Sequence, residues 1–254
     1  VLVAGPPVLA YVLGAIGLGS LFARFTQGSS DPGAIQAGLG LGLMLSLSHA
    51  LGVFGLLSGS AGVVIGGGVV VFGLFLLARR ILAHVRMTGG AVRGSMPWPV
   101  FLGLPALAVL VTAACSPPGW LWDSEARGYD AMSYHLELPQ EWLEAGRIWP
   151  RENNVYSYLP GYVEAAFTHI GAMGGAPTGG RERSLPMGLL AVEGHGVITC
   201  QLLHAALAVL AAVLVGRMAG GLARGGNAGG TPAPPGLGAL AGVLFLSIPW
   251  VIVT

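Results

Sequence analysis

Lysine is absent from the 254 residues, so arginine carries every fixed positive charge. Cysteine is nearly absent too: Cys115 and Cys200 cannot form a disulfide framework, and a bridge between them is not expected. Charged residues make up only 9% of the chain, against about 25% in soluble domains. Hydrophobic residues make up 54%, with a mean hydropathy of +0.73, which excludes an ordinary soluble domain. The arginines are scattered through short loops with no basic aromatic patch, so nucleic acid is not an expected partner. Neither a His-Glu-x-x-His nor a Cys-x-x-Cys spacing occurs, so no metal ligands are assigned. The first apolar run lacks the charged leader of a cleavable signal peptide. The chain opens at Val1 without a methionine and stops at Thr254 inside an apolar run, so it reads as a fragment of a longer polytopic protein.

What is present is long apolar runs. A membrane-crossing helix needs about 20 mostly apolar residues, and the expected spans are roughly 1–23, 34–57, 59–78, 97–114, 195–216 and 236–254. The second and third are parted only by Ser58-Gly59-Ser60, a tight helical hairpin. Abundant glycine in these runs lets helices approach closely. Their few polar residues, Ser46, Ser48 and His49, read as interhelical hydrogen-bonding groups. The expected fold class is an all-α polytopic membrane protein in three parts: membrane helices over 1–114, a large loop over 115–194, and further membrane helices over 195–254.

Charge is segregated along this scaffold. Ten of the eleven acidic residues lie between Asp123 and Glu193, and the eleventh, Asp31, sits in a short loop. The 79–97 stretch holds Arg79, Arg80, Arg86 and Arg93 without an acid, and Arg217 and Arg224 follow the fifth span likewise. By the positive-inside bias both stretches are cytoplasmic, which puts the 115–194 loop on the other side of the membrane. Leu159–Met173 is apolar enough to suggest another span. Counting it as one would reverse Arg217 and Arg224, so it is read as an interfacial or re-entrant helix on the outer leaflet.

Within the loop, YDAMSYHLELPQEWLEAG runs from Tyr129 to Gly146. At 100° per residue, Asp130, Tyr134, Glu137 and Glu141 share one face, and Met132, Leu136, Pro139 and Leu143 share another. The pattern predicts an amphipathic helix lying on the membrane, kinked or restarted at Pro139 and stopped at Gly146. Four polar residues on one face also describe a plain solvated surface. Asp123, Glu125 and Asp130 crowd the exit of a span, where solvating charge is least needed. Trp120, Trp122, Tyr129, Tyr134, Trp142 and Trp149 form an aromatic collar, either an interfacial belt or a face on which sugar rings stack. His135 and Glu137 do not share a helix face, which argues against a zinc pair. His169, His195 and His204 read as polar contacts between helices.

The ordered set GYDAMSYHLELPQEWLEAGRI, NNVYSYLPGYVEAAF and CQLLHAALAVLAAVLVGRMAG resembles the GT-C superfamily of membrane glycosyltransferases. The likeness is to its bacterial branch of protein mannosyltransferases, aminoarabinose transferases and Rgt-like transferases, and it covers roughly residues 97–254. The resemblance implies a bacterial inner-membrane enzyme that moves a sugar from a polyprenyl-phosphate donor to a glycan, lipid or protein acceptor on the non-cytoplasmic side. Carried over, Asp130 matches the leading acid of the family's outer-loop motif and Tyr134 its tyrosine. Ala131 departs from the pattern, standing where many relatives have a second acid. Asp123, Glu125 and Glu137 are then supporting acids, and Glu164 and Tyr158 belong to the juxtamembrane wall of the substrate pocket. Arg147 and Arg151 are the candidate phosphate ligands. The resemblance leaves room for a divalent cation, Mg²⁺ or Mn²⁺, without requiring one. Two other readings stay open: a non-catalytic membrane assembly or binding protein, and a secondary transporter. Transporters carry ionisable groups near the bilayer midplane and paired broken helices, and neither is visible in these spans.

Overall fold

Asp31 and Pro32 show how the chain starts its helices. The Asp31 side chain accepts from the Ala34 N–H at 3.0 Å, and Pro32 fills the first helical position, where its missing N–H costs nothing. In the computed structural model, which describes residues 3–89, 98–117, 131–173, 195–225 and 236–247, the regular backbone is helical; one isolated bridge joins Arg151 and Asn154. The helices are α1 (Gly5–Leu18, continuing as a 3-10 stretch to Thr26), α2 (Pro32–Val53), the single turn α3 (Gly59–Ala61), α4 (Gly67–Thr88) and α5 (Leu104–Ala114). They are followed by α6 (Glu137–Ala145), α7 (Tyr162–Met173), α8 (His195–Gly225) and α9 (Leu237–Leu246). A π-helical turn, Gly62–Gly66, joins α3 to α4.

Four helical stretches are long and apolar enough to cross a membrane: Gly5–Thr26, Pro32–Val53, Gly59–Met87 and Gly196–Ala223. The chain is thus an α-helical protein built for a bilayer. The other two expected spans appear as shorter apolar helices, Val100–Ala114 and Leu237–Leu246. The third span differs from expectation at its end. Arg79 and Arg80 do not open a loop, because α4 continues through both to Thr88 and stops at Gly89, whose φ of 62° is left-handed. Leucine, alanine, arginine and methionine are all strong helix formers, so nothing ends the helix sooner.

Glycine sets the packing distance. A Cβ on Gly17 of α1 would lie 1.9 Å from the Gly73 carbonyl oxygen of α4, and one on Gly216 of α8 would lie 2.6 Å from the Gly238 carbonyl oxygen of α9. Backbones in these pairs touch directly, the small-residue contact that holds helices together where lipid removes the hydrophobic drive. α1 runs parallel to α4 and antiparallel to α2, and it also packs on α8. Around α1 the core gathers Tyr11, Leu18, Met44, Val70, Phe167, Ile170 and Leu203. One buried polar chain crosses it. The Tyr11 hydroxyl meets Ser48 Oγ at 2.8 Å, and Ser48 Oγ meets His169 Nδ1 at 2.8 Å. A Cβ on Gly66 would sit 3.0 Å from His169 Nε2, so the other edge of the ring faces the π-helical turn. Ser48 therefore hydrogen-bonds between helices, as its sequence position suggested.

The bundle has two unlike ends. At one, Asp31 accepts from Arg217 Nε at 2.7 Å and Nη2 at 2.8 Å, and the Arg80 guanidinium lies beside them. At the other, the Ile148 N–H donates to the Gly52 carbonyl at 2.9 Å, fastening the loop segment to the C-terminal turn of α2. The segment around Ile148 and the Asp31–Arg217 pair thus sit at opposite ends of α2.

Candidate functional site

The segment from Ala131 to Met173 is packed onto the bundle's loop end. Ala131–His135 forms a π-helical turn, and α6 begins only at Glu137, so no single regular helix carries the predicted polar face. Pro139 lies in the first turn of α6 and Gly146 stops that helix with φ 73°, as the sequence suggested. The apolar side of α6 is covered by protein rather than left for lipid. Leu138 and Trp142 pack with Ile148 and Ala165, and Leu143 packs with Leu57 and Ala172. α7 is buried on nearly every side from Glu164 to Ala172, against α2, the π turn, α6 and α8. Its surroundings are helices, which departs from the interfacial part of the expectation: small residues such as Ala165, Ala166 and Gly171 let it fit among them.

Residues 151–158 fold into a tight loop that braces the π turn. Asn154 Nδ2 donates to the Ser133 carbonyl at 3.0 Å, and its Oδ1 accepts from the Tyr156 N–H at 3.1 Å. Ser157 Oγ accepts from the Arg151 N–H at 2.7 Å and donates to the Asn154 carbonyl at 2.6 Å. The Tyr156 ring stacks on Tyr134 at 4.2 Å, and Tyr134 leans on His135 at 4.1 Å. Trp142 Nε1 donates to the Trp149 carbonyl at 3.0 Å, closing the other flank.

These contacts deliver His135 to Glu164. Its Nδ1 lies 2.5 Å from Glu164 Oε1, with the carboxylate side chain 9% exposed and the imidazole 35% exposed. An imidazole that donates to a carboxylate from Nδ1 has Nε2 as its second hydrogen-bonding atom. His204 of α8 is near enough to interact electrostatically with both groups. The result is a carboxylate–imidazole pair at the mouth of the bundle, backed by a second histidine and walled by stacked tyrosines.

The sequence-selected residues divide around this pair. Glu164 and Tyr134 are part of it. Glu137 is exposed; partial burial and the nearby Glu141 carboxylate raise its pKa above the ordinary glutamate value. Arg151 pairs with Glu141 at 3.4 Å, Arg147 lies over the Trp149 ring at 4.4 Å, and Tyr158 is 64% exposed. Asp123, Glu125 and Asp130 lie outside the described residues, as do Trp120, Trp122 and Tyr129. Asp130 directly precedes the π turn in sequence. Among the described residues no three histidines, cysteines or carboxylates converge as metal ligands.

The pairing of His135 with Glu164 escaped the sequence because the two lie 29 positions apart and on different helical segments. Neither family models, curated proteins nor solved structures match this chain. The GT-C likeness therefore stands on the quoted residues alone.

Proposed function

We propose that this chain is an integral-membrane glycosyltransferase moving a sugar from a polyprenyl-phosphate carrier to an acceptor on the non-cytoplasmic side. The observation that carries the proposal is the seating of α6 and α7 at the end of the bundle away from Asp31 and Arg217, with Glu164 and His135 paired there. The segment that follows Asp130 is the one that is seated. A rigid seat beside an acidic loop at a bilayer exit is what a lipid-linked donor and a water-borne acceptor both need. Because arginine-rich stretches stay in the cytoplasm, the loop end faces the other side.

In this reading Asp130 takes the acceptor hydroxyl's proton as the oxygen attacks the anomeric carbon. Such a positioned base contributes about 10²–10⁴-fold. Tyr134, fixed between Tyr156 and His135, gives the sugar a flat, rigid wall. The test is transfer from a polyprenyl-phosphate sugar in membranes holding the chain. Asp130→Asn is expected to lose at least about 100-fold in turnover with unchanged insertion and yield. Turnover near the parent's would reject the assignment. Failure of every lipid-linked donor, with the fold intact, would favour the assembly or binding reading instead.

A further inference from the structure

We infer that His135, steered by Glu164, is the group that receives the phosphate of the lipid carrier. The inference rests on the sugar-transfer reading for its biological setting, but phosphate binding can be measured without it.

Four observations converge. The pair is held by the 151–158 loop through Asn154, so the ring arrives in a fixed pose. Glu164 is buried and occupies Nδ1, so a positive charge on the ring is compensated from behind while Nε2–H is left to donate. His204 lies close by on α8, near enough to act electrostatically on both groups. Among the described residues of this segment, Arg147 lies over the Trp149 ring and Arg151 pairs with Glu141. Among these described residues, the His135 ring is therefore the donor offered to a phosphate. An imidazole is also the side chain whose charge changes nearest neutral pH, and the second ionisation of a phosphate monoester falls close by, near about 6. Donor and leaving group are thus matched for proton transfer.

The step balances as follows. The acceptor oxygen bonds to the anomeric carbon while that carbon's bond to the phosphate oxygen breaks. The bonding pair stays on the phosphate oxygen, which takes the Nε2 proton of His135. The acceptor's proton passes to Asp130, and both groups then re-equilibrate with water. His135 is the catalytic residue here and Glu164 the positioning residue.

The experiment uses the whole chain in detergent micelles and dodecyl methyl phosphate, a phosphodiester whose single charge does not titrate near neutrality. Binding is read by ³¹P line broadening at pH 6 and pH 8. Among the described residues, the titratable groups around the ring are Glu164 from α7, His204 from α8 and Tyr134 beside it. Because the donor form of His135 is the protonated one, binding is expected to weaken as pH rises. His135→Gln is expected to weaken binding roughly tenfold at pH 6, the size of one charged hydrogen bond, and to flatten the pH dependence. His204→Asn is expected to keep that dependence. Glu164→Gln, nearly isosteric, is expected to weaken binding at pH 6 by removing the charge behind the ring, and carries the test alone if His135→Gln does not fold. Phosphate binding that is equal in the parent, His135→Gln and Glu164→Gln proteins would overturn the inference. If the parent binds phosphate through His135 but transfers no sugar, the phosphate site stands and the transferase reading falls. If transfer occurs with the same turnover and the same alkaline limb in His135→Gln, the transferase stands and the phosphate assignment falls.

Discussion

The two ends of the helical bundle each hold a carboxylate against a cation-forming side chain, and they do so in opposite ways. At the Asp31 end both oxygens are engaged. Oδ1 accepts from the Ala34 N–H and from Arg217 Nη2, and Oδ2 accepts from Arg217 Nε. This is a two-point fork joining the start of α2 to the C-terminal part of α8. At the Glu164 end one carboxylate oxygen meets one ring nitrogen, and the ring keeps a second nitrogen for something else. An arginine in a two-point fork has spent its geometry on the fold and stays charged at every working pH. A histidine on a single contact keeps both its geometry and its proton available. The first pair is built to hold and the second to act.

The sharpest way to break this comparison is to ask whether the ends face opposite sides of a membrane. Met87, near the end of α4, and Val155, in the loop that braces the π turn, are 86% and 73% exposed. In a Cys115→Ser background, Cys200 stays buried and inert. Met87→Cys and Val155→Cys should then label from opposite faces with an impermeant thiol reagent, an all-or-none result. Labelling of both from one face would dissolve the two-ended arrangement and the orientation built on it.

Removing the holding pair should cost stability and removing the acting pair should not. Asp31→Ala deletes a helix cap, about 1 kcal/mol, and strands Arg217. Because the arginine side chain is 57% exposed, water takes up part of that second loss. The expected total is about 2 kcal/mol, read as a lower unfolding midpoint in detergent. Glu164→Gln should stay within about 1 kcal/mol of the parent, because the amide can still hydrogen-bond the ring, while its phosphate binding changes. An equal loss of stability in both would show that the pairs do the same job.

Between the ends, the Tyr11–Ser48–His169 chain offers a third standard. Ser48→Ala would leave Tyr11 and His169 without their shared partner inside the core. Measured interhelical hydrogen bonds in membranes average about 0.6 kcal/mol and reach about 1.7. Full burial of both stranded groups puts Ser48→Ala toward the top of that range, so it should fall between Asp31→Ala and a silent change. Gly42→Ala on the same helix provides the silent change, since a methyl there meets nothing within 4 Å. Thermal unfolding of the two variants side by side reads the difference.

How much of this was legible in the sequence follows from the range of each interaction. Gly146 acts on its own neighbours, so a helix stop could be read from the sequence, whereas Asp31, placed only in a short loop, turned out to cap α2. Apolar runs announced the spans because membrane burial depends on composition over about 20 residues. The end of α4 was misplaced because arginine was taken as a loop signal, although it is a strong helix former and Gly89 is the real stop. The buried setting of α7 was hidden for a related reason: Glu164 argued against a buried segment, and the partners of Glu164 and His169 come from elsewhere in the chain. Ser48 is 121 residues from His169, and Arg217 is 186 from Asp31. No local pattern encodes such pairings. His135 was discounted because Glu137 is not on its helix face, and the carboxylate it meets comes instead from a helix that the bracing loop brings back.

The smallest effect belongs to Glu137, the acid beside the pair that makes no use of it. Partial burial and the Glu141 carboxylate raise its pKa in the folded chain, so the folded state prefers it protonated. The sign then follows from linkage. Below the ordinary glutamate value of about 4.3 Glu137 is protonated in both states and this preference is fully present. It is lost as pH climbs through the raised folded value. At neutral pH the charge is therefore a slight liability, and Glu137→Gln should raise the unfolding midpoint marginally at pH 7 and leave it unchanged at pH 4. Most of the side chain is in water, which keeps the gain small. A midpoint that falls at pH 7 would mean that the Glu137 charge is used after all, and the acting end would then include a further carboxylate.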